Sequence, residues 1–278
     1  MVGESRTDQA LSTHPASGEC ATHKDAFLTP GESRPPPPLD LRSALFLDVD
    51  GTLLEIASRP ELVRVPRELP TLIARLSEQR QGALALISGR PLAELDRLFQ
   101  PWRGAAAGVH GVERRRADGT LDRIRDRGSE AALDRIRPKL AALAGGESGL
   151  IVEDKGATLA LHYRAVPDRE PEIRAYAEVL QREAGTALRL IKGKMVVEFQ
   201  PGNANKGLAI AAFLTERPFV GCRPVFVGDD ATDEDGFAEV HNRGGFSIRV
   251  GSRYETAADY RLPSVKAVLA WLARTRLP

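Results

Sequence analysis

Two cysteines, Cys20 and Cys222, are all that 278 residues contain. Two thiols so far apart in the chain build neither a disulfide framework nor a zinc site, and a reducing cytoplasm is the expected home. Charge of one sign is equally scarce, with 39 Lys plus Arg against 38 Asp plus Glu. That balance lacks the electrostatic footprint of a general nucleic-acid binder, so any bound anion must be met by locally placed charges. No stretch approaches the roughly 18 consecutive apolar residues of a membrane span. The polar N-terminus has no apolar run of signal-peptide length. A Gly-x-Gly-x-x-Gly turn after the first strand is also missing, which disfavours a dinucleotide-binding oxidoreductase. The expectation is a soluble cytosolic protein, long enough for one large domain or two modest ones.

Residues 1–40 are rich in Ser, Thr, Pro, Gly and charge, and end in Pro35-Pro36-Pro37-Pro38. Such a segment buries too little apolar surface to offset its ordering entropy, and a disordered leader is expected there. Beyond it, Ala44–Val49 is a short apolar run broken only by Asp48, as suits a buried strand with a polar end. Pro66 opens a helix carrying Leu69, Leu72, Ile73 and Leu76, closed by Gly82. A second strand (83–87), a helix from Pro91 and a third strand (105–109) follow. This alternation predicts an α/β class core, a doubly wound parallel sheet covered on both faces.

The middle of the chain reads differently. A helical stretch holding Leu133, Ile136, Leu140 and Leu143 contains Pro138, so a kinked or split helix is expected. Strands at 150–153 and 158–163, a helix at 171–184, and strands at 188–191 and 195–199 follow, the last two turning at Lys192-Gly193. This order predicts an inserted smaller α+β domain. The α/β rhythm resumes after Gly202. The division is therefore a leader at 1–40, a discontinuous core at 41–120 and 201–278, and an insert at 121–200. In open parallel sheets, ligands bind outside the carboxyl ends of the strands.

Four chemistry-bearing features fall at those ends. Asp48-Val49-Asp50-Gly51-Thr52 places two carboxylates two residues apart, on one side of an extended chain. Close carboxylates need a shared proton or a cation, and Mg²⁺ suits them because it takes one or two carboxylates and leaves the rest of its shell to water and phosphate oxygens. Ile87-Ser88-Gly89-Arg90 offers a hydroxyl and backbone N–H groups to a phosphate oxygen. Lys206 opens a helix, the unfavourable end for a cation unless an anion lies between them. Asp229-Asp230-Ala231-Thr232-Asp233-Glu234 is denser in acid than a helix cap requires. Together the four predict metal-assisted phosphoryl transfer.

These motifs resemble the haloacid-dehalogenase-like superfamily of phosphatases and phosphotransferases over about residues 42–278. The resemblance implies Asp48 as nucleophile and Asp50 as general acid and then base. It implies Ser88 and Lys206 as phosphoryl-holding groups, and Mg²⁺ on Asp48, Asp229 and the backbone carbonyl of Asp50. Within the superfamily, four further segments are similar to trehalose-6-phosphate phosphatases: Gly108-Val109-His110-Gly111, Glu153-x-Lys155-Gly156, His162-Tyr163-Arg164 and Gly193-Lys194-x3-Glu198. That likeness implies a substrate-capping insert whose Glu153, Lys155, Lys194 and Glu198 contact sugar hydroxyls. Arg164 joins them, with His110 and Gly111 in the seam and Gly89 and Arg90 on the substrate side of the core. The chain holds 7 lysines against 32 arginines, yet Lys155, Lys194 and Lys206 all fall in these segments. A compact ammonium differs physically from a planar fork, so lysine there has a local reason. The implied partner is a small sugar phosphate, with functional pairing to a trehalose-phosphate synthase; no nucleic acid, no membrane and a monomer are expected. The rival readings are a phosphatase or phosphomutase for another sugar phosphate, and a non-catalytic sugar-phosphate-binding regulatory module.

Overall fold

A computed structural model describes residues 35–57, 62–124, 126–146, 148–193, 195–251 and 255–274. Its larger sheet is built from β1 (Ser43–Leu47), β2 (Leu84–Ile87), β3 (Ala105–Gly108), β4 (Glu113–Arg115), β5 (Leu121–Arg123), β10 (Arg223–Gly228), β11 (Phe246–Val250) and β12 (Tyr260–Leu262). The strand order is β12-β11-β10-β1-β2-β3-β4-β5. Every pairing from β12 through β3 is parallel, and β4 and β5 add an antiparallel edge.

Alternation along the strands explains why both faces are covered. Leu45 and Leu47 of β1 join Leu84, Leu86, Val225, Val227 and Ile248 on one face. Against them pack α1 (Leu69–Gln79), α2 (Leu92–Leu98) and α7 (Val265–Ala273), through residues such as Ile73, Leu95 and Val268. Ala44 and Phe46 point the other way with Ala85, Ile87 and Phe226. There they meet α5 (Lys206–Phe213) and α6 (Glu234–Asn242) through Ile210, Phe213, Phe237 and Val240. Side chains two residues apart share a face, so a continuous apolar strand feeds two cores at once.

The second sheet holds β6 (Ile151–Asp154), β7 (Leu159–His162), β8 (Leu188–Gly193) and β9 (Val196–Pro201) in the order β6-β7-β9-β8, all antiparallel. Helices α3 (Arg127–Gly145) and α4 (Glu170–Ala184) cover one face, through Leu133, Ile136, Leu140, Ile173 and Leu180 on Leu159, Leu161, Val197 and Phe199. The opposite face carries Glu153, Ala160 and Glu198 in register across three strands. This is the face turned toward the larger sheet's loops.

Three local expectations are corrected. Helix α3 is one element of 19 residues despite Pro138. Its buried Ala132, Leu133, Ile136 and Leu140 lie on both sides of the proline, and their packing outweighs the roughly 3 kcal/mol of a missing bond. The hairpin does not turn at Lys192-Gly193: both still pair within the sheet, with Val197 and Val196, and Met195 beyond them takes φ 61°. Strand β5, starting at residue 121, pairs with β4 in the larger sheet, so the division drawn at 121 cuts through that sheet. The short charged strands β4 and β5 carry no apolar period to announce them. No helix among the described residues is long and apolar enough to cross a membrane.

Candidate active site

Strand β1 lies between β2 and β10, so the segments leaving these three strands converge at one edge. Asp48 follows β1 and continues its ladder, its N–H donating to the Val227 carbonyl at 2.9 Å. The residue is 4% exposed. Lys206, 3% exposed at the start of α5, donates to Asp48 Oδ1 at 2.7 Å and to Asp233 Oδ1 at 2.6 Å. A buried ammonium between two buried carboxylates explains a cation at the unfavourable end of a helix. Burial opposes the charge on Lys206, but Asp233 and Asp48 outweigh it and hold its pKa above the ordinary lysine range.

Asp233 was read from sequence only as part of a helix start. Its Oδ2 accepts the backbone N–H of both Asp229 and Asp230 at 2.9 Å, fixing the acidic loop after β10. Asp48, Asp229 and Asp233 each offer an oxygen within 4.8 Å of the others. Three carboxylates against one ammonium leave two negative charges in a buried space, the deficit that one divalent cation cancels. The electrostatics of the carboxyls agree. Burial first, then the charges of Asp233 and Asp50, push the Asp48 carboxyl up to about 7 against the pull of Lys206. Burial and its three acidic neighbours push Asp229 up to about 9. Among the described residues Asp48 Oδ2 is buried without a partner, as an oxygen awaiting a cation would be. Both oxygens of Asp233 already accept hydrogen bonds, so Asp48 and Asp229 are the more open donors. Gly51 makes their approach possible: it sits at φ +83°, and a Cβ there would overlap the Asp229 carboxylate.

The Asp50 side chain stands outside this acidic group. Its two oxygens receive Arg90, Nε to Oδ2 at 2.6 Å and Nη2 to Oδ1 at 2.7 Å. The expected metal role of Asp50 is therefore left to its backbone carbonyl, and Arg90 meets protein where sequence pointed to substrate. Ser88 is buried and its Oγ accepts the Arg90 N–H at 3.1 Å, leaving its own hydroxyl proton to donate elsewhere. Gly89 lies against His110, where a Cβ would come within 2.5 Å of Nε2.

Val109, His110 and Gly111 follow β3 with φ of 49°, 54° and 102°. Two consecutive non-glycine residues in the left-handed region store strain of order 1–3 kcal/mol each, as functional loops do. Gly111 abuts the carbonyl of Asn205, the residue that caps α5 through its bond to the Leu208 N–H. His110 reaches across the seam to Glu198, Nε2 to Oε2 at 3.2 Å. Glu198 Oε1 accepts Thr158 Oγ1 at 2.9 Å and Lys155 Nζ at 3.4 Å. Burial works to raise the Glu198 carboxyl, but His110, Lys155 and Thr158 hold it well below the usual range. Glu153 lies 3.8 Å from Lys155 and 3.0 Å from His162. Of the expected cap residues, the structure thus gathers Glu153, Lys155 and Glu198 with His110. Arg164 is exposed and makes no ion pair among the described residues, and Lys194 lies outside them. A second tie between the sheets, Arg189 to Asp235 at 2.6 Å, joins β8 to α6.

Residues 46–266 match the family described as trehalose-phosphatase. A Sinorhizobium fredii protein named "Probable trehalose-phosphate phosphatase" is 43% identical over 235 residues, covering 84% of this chain and 88% of that one. The Escherichia coli "Trehalose-6-phosphate phosphatase" is 42% identical over 236 residues, covering 85% and 87%. The solved C-terminal domain of the C. albicans trehalose-6-phosphate phosphatase is similar in fold, with a TM-score of 0.74 at 20% identity over 85% of this chain and 97% of that one.

Proposed function

This chain belongs to the trehalose-phosphatase family of phosphomonoesterases, built on the haloacid-dehalogenase-like fold, and from that premise we propose that it hydrolyses trehalose 6-phosphate to trehalose and phosphate through a phospho-aspartate. The observation that carries the mechanism is the buried Asp48 carboxylate, 2.7 Å from Lys206 Nζ and beside Asp229 and Asp233.

In the first step an Asp48 oxygen attacks phosphorus and the bond from phosphorus to the sugar oxygen breaks. Asp50 donates a proton to that oxygen, which a sugar alkoxide needs because it leaves poorly unprotonated. In the second step water attacks the phosphorus, Asp50 takes its proton, and Asp48 departs as a carboxylate with phosphate released. Lys206 and the Ser88 hydroxyl hold the non-bridging oxygens. Mg²⁺, fitting the donors Asp48, Asp229 and the Asp50 carbonyl, supplies positive charge against the phosphoryl oxygens. Asp233 keeps Lys206 and the 229–230 backbone in place.

Glu153, Lys155 and Glu198 form a charged set opposite the core that His110 adjoins, and Lys194 joins it on family resemblance. Charged groups held in place suit a hydroxyl-rich disaccharide and reject analogues that leave them unpaired. In this role the chain performs the final step of trehalose biosynthesis and takes its substrate from a trehalose-phosphate synthase. The test is phosphate release from trehalose 6-phosphate, glucose 6-phosphate and sucrose 6-phosphate, with Mg²⁺ and with a chelator. Mg²⁺-dependent turnover of the first, lost in Asp48→Asn together with the acid-stable phosphoenzyme, is expected. Equal rates on all three overturn the substrate, and a turning-over Asp48→Asn overturns the mechanism.

A further inference from the structure

Arg90 is held at both ends. Its N–H donates to Ser88 Oγ, and its carbonyl accepts the Val109 N–H at 3.0 Å. Its guanidinium gives Nε and Nη2 to the two oxygens of Asp50 and Nη1 to Glu94 Oε2 at 2.8 Å. The residue is 8% exposed, while the carboxylates of Asp50 and Glu94 that it holds are partly open to solvent. A two-point fork fixes the plane of a carboxylate, whereas a point charge fixes only its distance. Most of the donors that a phosphate clasp would use are therefore already committed to protein.

We propose that Arg90 is a positioning residue for Asp50, setting the plane in which that carboxylate meets the leaving-group oxygen and then the attacking water. The inference rests on the acid–base role given to Asp50 above. Two-point contact lets one Asp50 oxygen exchange the fork for the substrate oxygen while the other stays held. Glu94 braces the far side of the guanidinium, so the fork cannot follow the oxygen that leaves. Arg90 then acts on the transferred proton only through Asp50, and its loss costs nothing further once Asp50 cannot carry a proton.

The test uses the full chain with Mg²⁺ and compares Arg90→Lys, Asp50→Asn and the double variant, all checked for native circular dichroism. Arg90→Lys should lower kcat on trehalose 6-phosphate by ~10- to 100-fold and leave inhibition by inorganic phosphate within about twofold. In the Asp50→Asn background the same change should alter the residual rate of phosphoenzyme formation by less than about twofold. Weaker phosphate inhibition by about tenfold would make Arg90 a phosphate ligand and overturn the inference, as would losses that multiply. If Asp50→Asn alone turns over normally, the role of Asp50 fails and that of Arg90 with it. If Asp50→Asn is inactive while the losses multiply, only the role of Arg90 fails. Should Arg90→Lys not fold, Glu94→Gln on the half-exposed face of α2 should lower kcat by roughly 2- to 5-fold with phosphate inhibition unchanged. No loss in that variant overturns the bracing.

Discussion

Loading the site with a divalent cation should release protons, and the number released should fall as pH rises. Without a cation, burial and like charge push Asp48 up to about 7 and Asp229 up to about 9. Both carboxyls are therefore neutral in the metal-free protein at about pH 6, although they ionise near 4 in an unfolded chain. A carboxyl raised on folding adds stability that is complete below its unfolded pKa and lost as pH climbs through the folded value. The metal-free protein should thus weaken from about pH 4 to about pH 9, most steeply below about pH 7, where both carboxyls contribute. Lys206, raised above its ordinary range, stays charged throughout that window and leaves the sign unchanged.

The magnitude follows from the same two groups. A cation must expel about two protons at pH 6 but only about one at pH 8.5, where Asp48 is already ionised. Integrated over that interval, apparent affinity should rise at least about tenfold from Asp48 alone, and up to roughly 2000- to 3000-fold with Asp229. The assay is calorimetric titration of Mg²⁺ or Mn²⁺ into metal-free protein, in buffer pairs of different ionisation enthalpy so that released protons are counted directly. Affinity flat within about twofold across the interval, or net proton uptake, would refute the reasoning, because it would mean that the acidic cluster is ionised before the cation arrives.

Glu198→Ala should reduce kcat/KM on trehalose 6-phosphate by at least ~100-fold while an aryl phosphate loses less than about threefold, since only the disaccharide needs the cap. The same variant strands His110 and Lys155, so its thermal midpoint should fall by several degrees. Gly51→Ala should leave the circular dichroism spectrum native yet raise the Mg²⁺ concentration for half-maximal activity by about tenfold or more, because the new Cβ overlaps the Asp229 carboxylate. An unchanged Mg²⁺ requirement would show that Asp229 is dispensable to the cation.

The layered core was legible because burial writes itself into period. Strands such as Leu84–Ile87, and β1 from Ala44 to Leu47, are apolar on both faces, and only a sheet covered by helices on both sides demands that. The edge strands Glu113–Arg115 and Leu121–Arg123 carry five charges in six residues and are held by Arg114 and Arg116 pairing with Asp122. Nothing local marks them as strands; β3 beside them does. Pro138 misled for the converse reason. A local penalty was visible in sequence, and the packing on either side that overrides it was not.

The site divides along the same line. Asp48, Asp50, Ser88, Lys206 and Asp229 stand out in the sequence because each follows an apolar strand or opens a helix, and in an open parallel sheet those places face the ligand. Position told which residues meet, but not whether they meet each other or the substrate. Asp233 lies three residues into a helix start, where acid is ordinary, and its task appears only when Lys206, distant in sequence, comes within 2.6 Å. Arg90 follows Ser88 as a phosphate ligand would, yet Asp50, 40 residues earlier, takes its fork. The Arg90–Asp50 pairing comes from strand order, since β1 lies beside β2, whereas Lys206 meets Asp233 because α5 packs beside α6. Opposite charges delivered to one buried point neutralise each other before any ligand arrives. Among the described residues the groups left unpaired are Asp48 Oδ2, the Asp229 carboxylate and the Ser88 hydroxyl proton, which is why the proposed function gives them to substrate and cation. Reading such a site therefore begins with what its charges already hold, and the chemistry follows from the remainder.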